Sequence, residues 1–303
     1  MDELMKRAEV VEREAWAELY RRAPAPVRGE LGLRVEEQGG VTFLSASGVD
    51  HLLLNRAIGL GSAGALDQEA ADAAVRYYES RSIDRYWIHL GGQHRRAALP
   101  RFLRTRGVVP YPRSWMKFAR RAAPVPPAEC SLLIRPARPR DVARIAEIAA
   151  PSFDMPSRAG AVFPSAIGAP GWHYFVAEDQ GRVVAASALY ARNRNALLVF
   201  AATDPEARRK GCQRALMAAR LRQAQRLGCD YAFTETGVPV EGKPDSSYRN
   251  MLRAGFDELY VRDNFAPEGT RWQSHPSSDA STRSAGSPRP SKGLPKDAVP
   301  SGT

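Results

Sequence analysis

Arg208, Arg209, Lys210 and Arg214 stand at the start of a predicted helix, the end where cations are least welcome. A helix N-terminus carries partial positive charge and unpaired backbone N–H groups. Four cations around Gly211 therefore repel the dipole unless an anion lies among them. Phosphate is the usual anion at such a place. The apolar run Ala196 to Ala202 leads in as a strand, and Cys212, Ala215, Leu216, Ala219 and Leu227 lead out at helical spacing. A strand, a basic turn through glycine and a helix make a phosphate-binding element. The other reading of the same residues is a solvated basic turn.

The run Arg208-x-x-Gly211-x-Gln213-Arg214-Ala215-Leu216 resembles the acyl-CoA pyrophosphate loop of the GNAT N-acetyltransferase superfamily, with Gln213 where Gly or Ala is commoner. Gln at that place also resembles a bacterial subgroup with two tandem GNAT domains. Leu132 to Arg135 followed by Pro139-Arg140-Asp141-Val142 is similar to the family's first strand and helix. Ser247-x-Arg249-Asn250-x-x-Arg253-x-Gly255-Phe256 is similar to its late helix and the turn after it. The resemblance covers about residues 130–265.

The resemblance implies an α/β (α+β) chain of tandem GNAT-like folds, each a mixed, mostly antiparallel central sheet flanked by helices. It implies acetyl transfer from acetyl-CoA to a primary amine, with no metal. It places the backbone of Phe200, Ala201 and Thr203 along the pantetheine. Backbone N–H groups of Arg209, Gly211, Gln213 and Arg214 hold the pyrophosphate in a loop completed by Arg208, Lys210 and Ala215, and Asn250 meets the pantetheine arm.

Acetyl transfer from a thioester needs a neutral amine, a polarised carbonyl and a proton for the departing thiolate. Many members carry a Tyr where this chain has Met251. Tyr248, one turn earlier, is the candidate acid, or else a packing residue. Glu235, at the end of a predicted strand beside the cleft, is the candidate base, or else a surface carboxylate or a partner for Arg249. His173 reads as structural. The acceptor, a small-molecule or peptide amine, depends on loops 152–171 and 236–246. Asp154, Glu178, Glu235 and Glu241 would suit a cationic one.

Positioning these groups requires two cores, and 303 residues with 44% hydrophobic content allow them. We expect a degenerate GNAT-like domain over 1–122, lacking the pyrophosphate loop, and a Pro-rich linker over 123–131. The acetyltransferase domain then covers 132–272, with a disordered tail over 273–303. In the first half, strands are predicted at Val41 to Leu44, His51 to Ile58, Tyr86 to Leu90 and Trp115 to Ala119. Helices are predicted over 2–22, 68–79 and 97–106. Asp179-Gln180-Gly181 marks a hairpin between Trp172 to Ala177 and Arg182 to Tyr190. Gly255 ends the helix Asp245 to Ala254.

Other classes follow from other features. Gly59-Leu60-Gly61-Ser62-Ala63-Gly64 fits a dinucleotide-binding fingerprint, with Glu79 about where a ribose-binding acid belongs, but no second βαβ unit accompanies it. That reading gives an oxidoreductase. A non-catalytic acyl-CoA-binding or sensing protein is the third class, raised by Met251. The net charge of +11 and the acid-free run over 94–121, with Tyr111, Trp115 and Phe118 among its arginines, invite nucleic acid. No nucleic-acid motif accompanies the run, which reads as a solvated basic face that attracts anionic CoA. Three cysteines, Cys130, Cys212 and Cys229, form no disulfide framework or metal-ligand spacing. The charged N-terminus and the lack of long apolar stretches predict a cytoplasmic protein without membrane contact.

Overall fold

The computed structural model describes residues 2–61, 68–91, 98–125, 128, 130–242 and 245–272. The expected tail over 273–303, and Ser62 to Gly64 of the dinucleotide fingerprint, lie outside these residues. The first half holds α1 (Asp2–Arg22), α2 (Ala25–Leu31), β1 (Leu33–Gln38), β2 (Val41–Ala46), β3 (Arg56–Leu60) and α3 (Gln68–Glu79). It continues with β4 (Trp87–Leu90), α4 (Ala98–Thr105), β5 (Val108–Pro110) and β6 (Trp115–Arg121). The second half holds β7 (Leu133–Pro136), α5 (Val142–Ser152), β8 (Trp172–Asp179), β9 (Arg182–Arg192) and β10 (Asn195–Thr203). It closes with α6 (Cys212–Arg226), β11 (Tyr231–Gly237), α7 (Ser246–Arg253) and β12 (Asp257–Pro267).

The described strands join one sheet, ordered β1-β2-β3-β4-β12-β6-β11-β10-β9-β8-β7, with β5 beside β12. Only β3–β4 and β10–β11 run parallel among the described pairs. The two halves are interleaved. β6 is inserted between β11 and β12, and the far end of β12 pairs with β4 and β5. Helix α1 lies across the join, packing on β1, β2 and β3 and also on β9 and β10. Its buried stripe Ala8, Val11, Ala15, Trp16 and Leu19 recurs at helical spacing, so one face meets the sheet. Helices α3 and α4 cover the opposite face of the first half, and α6 and α7 that of the second.

Local chemistry explains most boundaries. Gln180 and Gly181 both have positive φ, 47° and 80°, the form that suits a two-residue hairpin between β8 and β9. Asn193 and Arg194 do the same between β9 and β10. Gly255, at φ 75°, stops α7.

Three sequence expectations are corrected. The segment 51–55 is turn rather than strand, because the Asn55 amide replaces a strand neighbour: its Oδ1 accepts from the Ala46 N–H at 2.8 Å and its Nδ2 donates to the Val49 carbonyl at 3.2 Å. Leu227 lies past the end of α6 and is 44% exposed, so it is not part of that helix's buried face. The basic run is not wholly a solvated face, because β6 is a central strand whose Lys117 is fully buried.

Candidate acyl-CoA cleft

The turn before α6, expected to bind an anion, is built by backbone conformation. Arg209 has φ 67° and Gly211, the residue preceding α6, has φ 81°. A non-glycine residue held at positive φ is strained, and such strain collects at functional turns. Left-handed residues within a turn direct successive N–H groups to one side, a form that binds anions. No side chain caps α6, and its first turn carries no acid. Arg208, Arg209 and Arg214 are exposed, and among the described residues none has an acidic ion-pair partner. A phosphate group fits these donors and charges.

Next to this turn the sheet opens. β10 and β11 pair only from Asn195 to Leu197 with Tyr231 to Phe233. A bulge at Val199 then shifts the register of β10 against β9. Beyond it, Phe200 to Thr203 follow β9 and have no partner on β11. Arg220 of α6 supports the opening from beneath. It is 2% exposed and donates to the carbonyls of Phe200 at 3.1 Å, Leu216 at 3.3 Å and Ala188 at 3.5 Å. Burial pushes its pKa down to about 9, still above neutral pH. The first half behaves differently: β3 and β4 close again at their ends, with Leu60 opposite Leu90 and the Gly91 N–H donating to the Leu60 carbonyl at 3.0 Å.

A cleft of about 750 Å³ joins the turn to the opening, walled by the end of β10, the start of α6 and one side of α7. Of the residues expected there, Ala201, Thr203, Arg208, Arg209, Gly211, Gln213, Arg214 and Asn250 line it. Gln213 folds back, its Nε2 donating to Thr203 Oγ1 at 2.8 Å, which ties the helix start to the strand end.

The remaining expected residues lie elsewhere. Phe200 is buried, its ring tilted against Phe163, and its carbonyl is engaged by Arg220. Lys210 turns away to Asp179 at 2.8 Å. Ala215 is buried, and its N–H already donates to the Gly211 carbonyl. Tyr248 points out of the cleft: its ring packs edge-on against Phe118 and its hydroxyl donates to Glu258. Met251 lines the cleft, as do its neighbours Ser247 and Asn250.

Glu235 borders the opening but is not solitary. Its Oε2 accepts from Lys117 at 3.0 Å and from Arg262 at 2.6 Å. The expected alternative partner, Arg249, pairs with Asp245 instead. Lys117 and Arg262 also hold Glu12 of α1, and Tyr260 donates to Glu9. Burial by itself would raise the Glu12 carboxyl, but the charges of Arg262 and Lys117 outweigh it and hold Glu12 well below the usual carboxylate range.

The sequence reading leaves out Met217, Ser246 and Arg253, which also line the cleft. Arg253 had a signal, three residues after Asn250 on the same helical face. Among the described residues no cluster of His, Cys, Asp and Glu is arranged to hold a metal ion, and no helix is long and apolar enough to cross a membrane.

Residues 142–242, spanning α5 to the end of β11, match the acetyltransferase (GNAT) family model. The matched stretch is about one third of the chain, and over it the chain is similar to a GNAT acetyltransferase domain. The GNAT match contains the turn, the opening and the bulge just described, and the family implies acyl transfer from an acyl-CoA to an acceptor. No curated protein matches the chain.

Solved structures extend the likeness to the whole fold. A GCN5-related N-acetyltransferase from Kribbella flavida superposes with TM-score 0.55 at 18% identity, covering 83% of this chain and 96% of its own. An acetyltransferase of the GNAT family from Novosphingobium aromaticivorans gives 0.53 at 15%, covering 80% and 97%. A tandem GNAT protein from the clavulanic acid biosynthesis pathway gives 0.53 at 15%, covering 84% and 93%. At these identities the GNAT fold is what is shared.

Proposed function

We propose that the chain is an N-acetyltransferase, moving an acetyl group from acetyl-CoA to a primary amine. The observation that carries this is the strained Arg209–Gly211 turn at an uncapped helix start, opening directly onto the unpaired end of β10. In this reading the turn's N–H groups and Arg208, Arg209 and Arg214 bind the pyrophosphate, and binding far from the reacting bond supplies positioning. The exposed backbone of Ala201 to Thr203 aligns the pantetheine, and Asn250 holds it from α7. The amine nitrogen attacks the thioester carbon, the carbon–sulfur bond breaks, and the thiolate takes a proton as the amine loses one. Glu235, at the border of the opening, is the group we assign to receive the amine proton through water. We assign no side chain to the thiolate, because the Tyr248 hydroxyl is engaged by Glu258. The first half serves as a GNAT-like scaffold that does not bind CoA, a role supported by the closed β3–β4 pair.

Met251 in the cleft favours a second reading, an acyl-CoA-binding protein without catalysis. One experiment separates the two. Calorimetry of the full chain with acetyl-CoA measures binding, and mass spectrometry of a panel of small amines and peptides measures transfer. Binding with transfer supports the enzyme. Binding without transfer to any amine supports the sensor, and no binding overturns both.

A further inference from the structure

β6 and β11 run antiparallel with Lys117 opposite Glu235 and Trp115 opposite Gly237, so these four positions share one face of the sheet. Gly237 leaves a hollow on that face. A Cβ there would lie 3.2 Å from the Arg113 Nε and 3.4 Å from its Nη2, so the guanidinium occupies the space a side chain would fill. Its Cζ lies 4.9 Å from the centre of the Trp115 ring and 5.2 Å from that of Trp272. The backbone that carries it is clamped as well. The Asn264 Nδ2 donates to the Arg113 carbonyl at 2.7 Å, and the Val238 N–H donates to the Ser114 carbonyl at 3.0 Å. Arg113 is nevertheless exposed, and among the described residues its guanidinium has no ion-pair partner. A planar fork of donors, fixed by stacking and left without an acid, is suited to a carboxylate.

The same face holds Glu235, two residues before Gly237 and so about 7 Å away along the strand. Lys117 and Arg262 both donate to its Oε2, and its Oε1 has no partner among the described residues. Three of the four acids that suggested a cationic acceptor are already engaged. Glu178 pairs with Arg135 at 2.6 Å, Asp154 accepts from the Trp272 Nε1 at 2.9 Å, and Glu235 holds its two cations. The accessible charge left over beside Glu235 is the cation of Arg113.

We propose that the acceptor is an amino acid, with its amine at Glu235, its carboxylate on Arg113 and the Trp115 ring as the wall between them. The assignment rests on the acetyltransferase reading above and names its acceptor class. A carboxylate a few bonds from the attacking nitrogen accepts paired hydrogen bonds from the fork, a geometry that a carboxamide cannot fully match. Stacking against two rings sets the fork before the acceptor arrives, so little rotamer freedom is lost on binding. Arg113 precedes β6, so the half that does not bind CoA takes a direct part in choosing the acceptor.

The test measures transfer from acetyl-CoA, by the full chain, to a panel of L-amino acids with primary amines and to the matching L-amino-acid amides. Wild-type protein is expected to acetylate at least one amino acid with kcat/KM about tenfold or more above that of its amide, the scale of a charge-assisted pair. Arg113→Met, which keeps the stem against the rings, should raise KM for that amino acid about tenfold with kcat little changed, and should remove the preference. Its acetyl-CoA affinity, read by calorimetry, should stay at the wild-type value, because Arg113 does not line the CoA cleft. Gly237→Ala, whose Cβ presses on the guanidinium, should shrink the preference independently and covers the case in which the first variant fails to fold. Transfer confined to the amides, equal wild-type rates on acid and amide, or a preference that survives both substitutions overturns the assignment and leaves the acetyltransferase reading standing. Acetyl-CoA binding without transfer to any amine overturns both.

Discussion

Gly211 and Arg209 are the residues on which the proposed binding turns. Gly211 has a φ that L side chains adopt only with strain, and it stands where backbone must approach an anion. Gly211→Glu adds both bulk and negative charge, so calorimetry is expected to find acetyl-CoA affinity reduced at least 100-fold in a chain that remains folded by circular dichroism. Retained affinity would remove the turn from the site. The chemical step is a separate question at the same scale. Glu235→Gln should lower turnover by about 100-fold, within the range of general base catalysis, with the CoA affinity little changed and the deficit greatest at low pH, where the amine is protonated. Tyr248→Phe should leave the pH–rate profile as it is, because the hydroxyl faces Glu258. A Tyr248→Phe profile that lost its basic limb would return that residue to the mechanism. Gly211 and its arginines were legible in the sequence because the turn's demands fall on consecutive residues. Tyr248 was not, because a three-residue offset on a helix leaves about 60° of rotation unresolved. That angle decides between the cleft and Phe118.

At the scale of elements, the opening between β10 and β11 depends on one buried helix residue. The bulge at Val199 takes β10 out of step with its neighbour, and Arg220 answers the Phe200 carbonyl beyond that bulge. Arg220→Met preserves the stem and volume but leaves carbonyls of Phe200, Leu216 and Ala188 without these donors. Unfolding in urea is expected to show a loss of about 3 kcal/mol, the scale of breaking a buried network. Acetyl-CoA affinity should fall as well, although Arg220 does not line the cleft. An unchanged urea midpoint would mean that water replaces the guanidinium. The strands themselves were readable from apolar runs and turn residues such as Gln180-Gly181. Arg220 was hidden because a charge in a helix normally reads as its solvent face, whereas α6 is buried on most of its circumference.

At the scale of the molecule, Glu9 and Glu12 from α1, Lys117 from β6, Glu235 from β11 and Arg262 from β12 form one buried network across both halves. Glu12→Gln breaks pairs that are already desolvated and should cost about 3–5 kcal/mol. The folded Glu12 pKa is depressed, so its contribution is complete above the unfolded carboxylate value, about 4.3. It is lost as pH falls through the lower folded value. Urea midpoints between pH 7 and pH 3 should therefore drop less steeply in Glu12→Gln than in wild type, and equal slopes would count against the assignment. The last described residue is also an anchor: Trp272 stacks on Trp87 and its Nε1 donates to Asp154 at 2.9 Å. Ending the chain after Trp272 should leave the melting temperature and acetyl-CoA affinity unchanged, whereas Trp272→Ala should cost about 2 kcal/mol or more. A repeated order of strand, helix and glycine stop raised the expectation of two GNAT-like halves. Their interleaving was not, since strand pairing between distant segments leaves no periodic mark on either one. That interleaving sets a timetable for the ribosome. The edge of β4 emerges early, but its neighbour β12 ends at Pro267. At roughly 5–20 residues per second, that edge waits on the order of ten seconds or more for its partner. A nascent chain with an open strand edge for so long is a natural client for a holding chaperone, and a transcript cut short before β12 would leave it no way to finish.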